Sequence, residues 1–165
     1  WLSRLVATIQ EEGVGVVGAR LDYPEGGTQH AGIGLFRGGR WKVQMRNLFA
    51  GQIDRNFWVV RRRECLAVTG ACQLVRREAF DVVKGYDEQF PVVCNDVDFC
   101  LRIRQAGWRV IYQPAARLLH AEGVSNAGDK SSADLIDESH RRFDVLWFGR
   151  WRQDPFVREE WEEGI

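Results

Sequence analysis

Residues 95–102 (NDVDFCLR) predict a helix that separates two aspartates in space. Asn95 is a favourable N-cap residue, and Asp98 three residues later completes a pattern that resembles a capping box. At about 100° per residue, Asp96 falls within the broad apolar arc of this helix, in its first turn. Asp98 falls on the opposite side, four residues from Arg102, which is the spacing of a solvated ion pair. We therefore expect an exposed Asp98–Arg102 pair and an inward-facing Asp96, which either caps the backbone or performs chemistry.

The composition is that of an ordinary globular domain. A chain of 165 residues with 45% hydrophobic and 28% charged residues is long enough for one core and too short for two. The 23 basic and 23 acidic residues cancel, so nothing favours nucleic acid as a partner. The sequence contains no apolar run of about 18 residues, and its first twelve residues lack a signal-peptide pattern. The spacing of the four cysteines fits neither a zinc site nor a disulfide scaffold, which favours free thiols in a reducing cytoplasm.

The remaining pattern alternates helices with strands and predicts an α/β or α+β class. Between residues 36 and 56 the periodicity disappears, and a loop of that length in a compact domain is typical of a functional lid or of disorder. Predicted helices cover residues 2–13, 77–83, 95–107 and 133–151; predicted strands cover residues 14–21, 28–35, two segments of 63–76 on either side of Gly70, 108–112, and 116–120 after a break at Pro114.

Several segments, in this order, resemble glycosyltransferase family 2. They are residues 17–21 (VGARL), 29–32 (QHAG), 66–77 (LAVTGACQLVRR), 85–90 (GYDEQF), 95–102 (NDVDFCLR) and 120–122 (HAE). The resemblance covers about residues 1–128 and implies the α/β GT-A fold, a mixed sheet flanked by helices. In that fold the first half of the domain binds the nucleotide and the second half binds the acceptor. Residues 1–165 resemble the second half, as a single domain, so we expect the nucleotide-binding strands to precede them.

The resemblance gives Asp96 a role. The family's usual pair here is Glu-Asp, whose aspartate is the general base of an inverting transfer; Asn95 replaces the glutamate, and Asp96 is kept. A helix N-terminus favours a carboxylate by about 0.3–1 kcal/mol, which keeps a base ionised. Two alternatives stay open. Asp96 could only satisfy backbone N–H groups, or Asp96 and Asp98 could form a metal-binding Asp-x-Asp motif, although two helical positions two residues apart diverge by roughly 200°.

The resemblance also implies a divalent metal, Mn²⁺ or Mg²⁺, with most ligands upstream of this chain. His120 is the candidate ligand here, and Glu122 could orient it or bind substrate; a histidine at a strand end and a solvated loop explain both residues equally well. His30 is more simply explained as a structural residue.

The acceptor pocket is expected beside Thr69, Gly70 and Ala71, because glycine allows the main chain to approach a ligand closely. A β-bulge that curves the sheet is the alternative. The other candidate substrate-binding residues are Asn95, Asp98, Arg102 and Glu122.

These observations predict the acceptor-binding, catalytic-base half of an inverting glycosyltransferase, inactive alone, for bacterial polysaccharide or glycan assembly. Its partners would be a nucleotide-sugar donor and a glycan or lipid-linked acceptor, in the cytoplasm or at the inner face of the membrane. Residues 57–63 and the last helix combine aromatic and basic side chains, which suits peripheral contact with anionic lipid as well as it suits ordinary packing. The alternatives are a non-catalytic carbohydrate-binding domain and a fragment that pairs with another chain, including a second copy.

Overall fold

A computed structural model describes residues 1–90, 92–121, 131–150, 153–158 and 161. The helices within this part of the chain are α1 (Leu2–Ile9), α2 (Phe57–Val60), α3 (Arg77–Val82), α4 (Asn95–Gln105) and α5 (Ser131–Trp147). Its strands are β1 (Val14–Asp22), β2 (Thr28–His30), β3 (Ile33–Arg37), β4 (Val43–Asn47), β5 (Arg63–Glu64), β6 (Gln73–Val75) and β7 (Arg109–Leu119).

The main sheet is built around β1. The long strand β7 runs parallel to one edge of β1, and the short strand β5 pairs antiparallel with β7. The other edge of β1 is shared: β6 pairs with it around Val17 and β2 around Leu21, both antiparallel. A second, two-stranded sheet consists of β3 and β4. The predicted class, a mixed α/β sheet flanked by helices as in part of a GT-A fold, is confirmed.

Strand β1 is buried along its whole length, as its nearly continuous apolar sequence requires. Alternate residues enter two cores because successive side chains of a strand point to opposite faces. Val17 packs on the face covered by α1, through Leu5. Val16 packs on the opposite face, in the larger core that α4 and α5 help to form. Helix α4 is thereby held against the sheet with its N-terminus available for a site.

The predicted lid loop of residues 36–56 is wrong as one continuous loop. Strand β4 lies inside this segment and pairs in register with β3, from Arg37 opposite Val43 to Ile33 opposite Asn47. Strand β4 has only five residues, and only two of them, Val43 and Met45, are apolar. Such a short segment does not show a clear alternation of apolar and polar residues in the sequence. Pairing with β3, rather than a pattern in its own sequence, makes this segment a strand.

Three other boundaries differ from the sequence prediction. The strand predicted for residues 28–35 is two strands, because the chain turns at Ala31 and Gly32. Pro114 does not end β7. Gln113 pairs with Ala19 of β1, and the next paired residue of β7 is Arg117, opposite Arg20, so Pro114 lies in a bulge between them. Helix α5 begins at Ser131 and ends at Trp147, rather than covering 133–151.

The aromatic side chains of α5 face the core in its described part: Phe143 and Trp147 are both buried. No helix in the described part of the chain is long and apolar enough to cross a membrane.

Candidate active site

The N-cap of helix α4 lies one residue earlier in the chain than predicted. Its first backbone bond runs from the N–H of Asp98 to the carbonyl of Cys94 (2.8 Å), which makes Cys94 the N-cap. Cys94 has φ 70°, a left-handed conformation, and its side chain makes no capping bond. The prediction of Asn95 as N-cap is therefore wrong. Asn95 lies in the first turn, where its Oδ1 accepts from the N–H of Asp96 at 2.8 Å.

Asp96 is half-buried, neither outside the molecule nor sealed in its core. Its Oδ1 accepts from the N–H of Val97 at 2.8 Å, and its Oδ2 accepts from the N–H of Gly70 at 2.9 Å. A carboxylate has about four acceptor positions, so two of them remain for other donors. The capping role and a chemical role for Asp96 are thus compatible.

Two clefts meet at Asp96. The first has a volume of about 490 Å³, and the second has a volume of about 350 Å³. The first is lined by Gly70, Ala71, Tyr86, Asn95 and Asp96; the second is lined by Ile33, Met45, Arg46, Asn47, Thr69, Val93, Cys94, Asp96, Val97 and His140. Four residues that the sequence assigned to the site therefore lie around the carboxylate of a fifth, Asp96; they are Thr69, Gly70, Ala71 and Asn95.

The segment from Thr69 to Ala71 is a turn and not a β-bulge. A 3₁₀ turn covers Gly70–Cys72, and Thr69 caps it: the Thr69 Oγ1 accepts from the N–H of Ala71 at 3.3 Å. The three consecutive N–H groups of this segment have three different acceptors. That of Thr69 contacts His30 Nε2 at 3.4 Å, that of Gly70 goes to Asp96, and that of Ala71 goes to the Thr69 hydroxyl. The turn thus delivers one backbone donor to the Asp96 carboxylate.

The predicted exposure of the Asp98–Arg102 pair is wrong. The pair exists, with 2.8 Å between Arg102 Nε and Asp98 Oδ2, but Asp98 is only 1% exposed. Helix α5 covers this side of α4, and Trp147 Nε1 donates to Asp98 Oδ1 at 2.9 Å. Arg102 also donates to the carbonyls of Val83 and Gly85, each at 2.8 Å. Neither Asp98 nor Arg102 lines either cleft, and both carboxylate oxygens of Asp98 already have protein donors.

His120 follows the end of β7. Its Nδ1 lies 2.8 Å from Gln29 Oε1, and the Gln29 amide nitrogen donates to the His120 carbonyl at 3.4 Å. With the proton on Nδ1, the Nε2 lone pair is the one that can bind a metal ion, and the side-chain amide fixes the ring. His120 therefore suits a single ligand position. The described residues contain no group of three His, Cys, Asp or Glu side chains that could hold a metal ion together, and Glu122 lies outside them.

Two residues that line the clefts were not predicted from the sequence, Tyr86 and His140. Tyr86 lines the first cleft, 39% exposed, with its ring stacked on that of Phe99 (4.5 Å between centroids). Its hydroxyl accepts from the Gln73 amide, and burial raises its pKa. His140 of α5 lines the second cleft and stacks on Trp41 (5.0 Å between centroids). An aromatic residue in a polar loop was the available signal for Tyr86; His140 carried none, since it reaches the cleft only because α5 folds over α4.

Comparison with known proteins places the chain in a family context. Residues 1–142 match the protein family described as "Glycosyltransferase like family 2". A protein of Sinorhizobium fredii named "Uncharacterized protein y4gI" is 37% identical over 159 residues, which is 95% of this chain and 17% of that protein.

Two further relatives carry functional names. The O-antigen biosynthesis protein RfbC of Myxococcus xanthus is 38% identical over 163 residues, 94% of this chain and 12% of that protein. The N-acetylglucosaminyl-diphospho-decaprenol L-rhamnosyltransferase of Mycobacterium tuberculosis is 42% identical over 65 residues, 39% of this chain and 21% of that protein. The chain thus spans at most about a fifth of the length of these relatives.

Proposed function

Because this chain belongs to the family described as Glycosyltransferase like family 2, we propose that it is the acceptor-binding and catalytic-base part of an inverting glycosyltransferase. The enzyme would move a sugar from a nucleotide-sugar to a hydroxyl group of a growing glycan or of a lipid-linked acceptor. The names of two relatives, an O-antigen biosynthesis protein and a rhamnosyltransferase that acts on a decaprenol-linked sugar, support polysaccharide assembly as the setting.

The observation that carries the proposal is the Asp96 carboxylate at the junction of two clefts. An inverting transfer needs one base and no covalent nucleophile. The acceptor oxygen attacks the anomeric carbon and loses its proton to Asp96, while the bond from that carbon to the nucleoside diphosphate breaks. The carboxylate that must take this proton is held in place by the N–H of Gly70, which donates to its Oδ2.

The first cleft offers surroundings that suit a sugar. In the first, Asn95 supplies a polar side chain and Tyr86 an aromatic one, which suits a sugar that offers both hydroxyl groups and an apolar ring face. A divalent ion would offset charge on the departing diphosphate. His120 is the candidate ligand from this chain, and we expect the other ligands to come from elsewhere in the longer protein.

The test is an Asp96→Asn substitution in the complete protein. Release of nucleoside diphosphate would be measured with a panel of nucleotide-sugars and a bacterial lipid extract as the acceptor source. We expect kcat to fall by about 10²–10⁴, the usual contribution of a general base, with little change in the KM of the donor. Asp81→Asn, which removes an exposed carboxylate from α3, is the matched control and should leave kcat unchanged.

The same experiment separates an enzyme from a non-catalytic domain. A carbohydrate-binding domain would retain the same sugar affinity with Asp96→Asn and would release no nucleotide in either form. Turnover of Asp96→Asn close to that of the unaltered protein would remove Asp96 from the mechanism.

A further inference from the structure

His30 is buried between two strands and the turn that carries Gly70. It lies at the end of β2, only 1% exposed, and its Nδ1 is 2.7 Å from Oδ1 of Asn47 on β4. Its Nε2 accepts from two backbone donors, the N–H groups of Gly32 (3.2 Å) and Thr69 (3.4 Å). A nitrogen that accepts twice carries no hydrogen, so the ring is the neutral form with its proton on Nδ1, which donates to Asn47.

The surroundings of His30 favour this neutral form. Burial lowers the pKa of His30 to about 4, and the nearby Arg63 guanidinium of β5 acts in the same direction. Tyr112 of β7 faces the ring edge-on, with 6.2 Å between centroids. At neutral pH the ring therefore offers Thr69 a permanent acceptor.

A short path leads from His30 to the carboxylate. Thr69, whose N–H is held by the ring, immediately precedes Gly70, whose N–H donates to Asp96 Oδ2. The N–H that the ring holds belongs to the Val68–Thr69 peptide, and the Gly70 N–H belongs to the next peptide along the chain. A rotation of the first peptide would therefore move the second and turn its donor away from Asp96. The only side chain that fixes the N–H of Thr69 among the described residues is the His30 imidazole.

We propose that His30 is a positioning residue: through Thr69 it orients the Gly70 N–H that holds the Asp96 carboxylate in the cleft. The catalytic consequence rests on the proposed function, whereas the positioning itself does not. His30 takes no part in proton transfer and contacts neither cleft.

The test uses two substitutions of one residue. Phenylalanine at position 30 fills the ring volume and cannot accept, whereas glutamine can place Oε1 near the position of Nε2. In ¹³C,¹⁵N-labelled protein, His30→Phe should shift the Asp96 side-chain carboxyl signal and speed hydrogen exchange at the Gly70 amide by about tenfold or more. His30→Gln should restore both toward the unaltered protein. The carboxyl signal of Asp98, on the same helix, should stay unchanged throughout.

Two controls separate positioning from general destabilisation. Tyr112→Phe keeps the ring that faces His30 and removes a buried hydroxyl that donates to the Val59 carbonyl, so it should leave the Asp96 signal unchanged. If His30→Phe does not fold, Thr69→Pro breaks the same hydrogen bond by removing its donor, the N–H of residue 69. Its φ of −65° suits proline, and Thr69→Ala controls for the lost hydroxyl. Thr69→Pro should then shift the Asp96 signal by more than Thr69→Ala, which removes only the hydroxyl that caps the turn at the Ala71 N–H.

An Asp96 signal that is unchanged in His30→Phe would overturn the proposal. So would equal shifts of Asp96 and Asp98, because that result would mean a general loss of structure. Failure of glutamine to restore the signal would also overturn it, because the acceptor at the Nε2 position would then not be what holds the turn. These readouts do not depend on turnover. Shifted Asp96 signals together with a fully active Asp96→Asn enzyme would support the positioning while refuting the base.

Discussion

Replacing Asp98 by alanine is the sharpest test of how α5 is held to α4. The substitution leaves two donors without their acceptor: Trp147 Nε1, in the core, and Arg102 Nε, whose side chain is 24% exposed. The sequence pattern predicts an exposed i,i+4 pair, whose removal costs a few tenths of a kcal/mol. The structure predicts a much larger effect.

The loss in the free energy of unfolding caused by Asp98→Ala depends on the groups that remain without a partner, chiefly the Arg102 guanidinium. Breaking a buried ion pair by removing one partner costs about 3–5 kcal/mol, because the other charge loses its compensation. Arg102 retains two carbonyl acceptors and some contact with solvent, so we expect the lower end, about 3 kcal/mol. Trp147→Phe removes the donor of a charged hydrogen bond and also shrinks a buried side chain, so it should cost at least about 2 kcal/mol.

The assay is urea unfolding followed by far-UV circular dichroism, with the free energy of unfolding extrapolated to water. Asp137→Ala is the control, because Asp137 pairs with Arg40, whose side chain is 72% exposed. It should cost at most about 1 kcal/mol, an effect that weakens with added salt. The double substitution of Asp98 and Trp147 should cost less than the sum of the single ones, by about 1–2 kcal/mol, because they share one bond.

A loss below about 1 kcal/mol for Asp98→Ala, similar to that of Asp137→Ala and reduced in the same way by salt, would refute the buried pair. Additive effects of Asp98→Ala and Trp147→Phe would refute the bond between them.

Two further predictions concern stability. Gly18→Ala would place a Cβ against the Cβ of Val68 and 2.6 Å from its Cγ1, and we expect a loss of about 1–3 kcal/mol in urea unfolding. Val68→Ala keeps the Cβ and removes both γ-carbons, so the double substitution should cost somewhat less than the sum of the single ones. Burial raises the pKa of Asp154 to about 6, so its folded form binds a proton more tightly than its unfolded form. This contribution to stability is present below about pH 4 and is lost as the pH rises to about 6, by about 3 kcal/mol; Asp154→Asn should remove that slope, and an unchanged slope would contradict the assignment.

Elements with a strong internal period could be predicted from the sequence. Helix α1 shows apolar residues at helical spacing, and β1 is one long apolar run; both were found within a few residues of their ends. Strand β4 was missed because its geometry depends on pairing with β3. For the same reason Asp98 was assigned to the wrong environment: a helical wheel shows which residues share a face, and not whether another helix covers that face.

The candidate site also contains residues that could be predicted from the sequence and one, His30, that could not. Asp96 and the segment from Thr69 to Ala71 were assigned to the site by their motifs, and the structure brings Asp96 within hydrogen-bonding distance of the Gly70 N–H. That this segment is a turn was not predicted. The contribution of His30 could not be identified, because its partners are the N–H groups of Gly32 and Thr69, and every residue except proline has such a group.

Among the described residues, the donors to the Asp96 carboxylate are backbone N–H groups, and their directions are set by backbone conformation. Cys94, the residue that starts α4, has a left-handed φ of 70°, which a side chain with a Cβ adopts at a cost. That conformation sets where the first turn of α4 begins, and the turn at Thr69 sets where the Gly70 N–H points. Substitutions that alter these two turns should therefore disturb Asp96 more than substitutions of side chains that merely line the clefts, such as Met45.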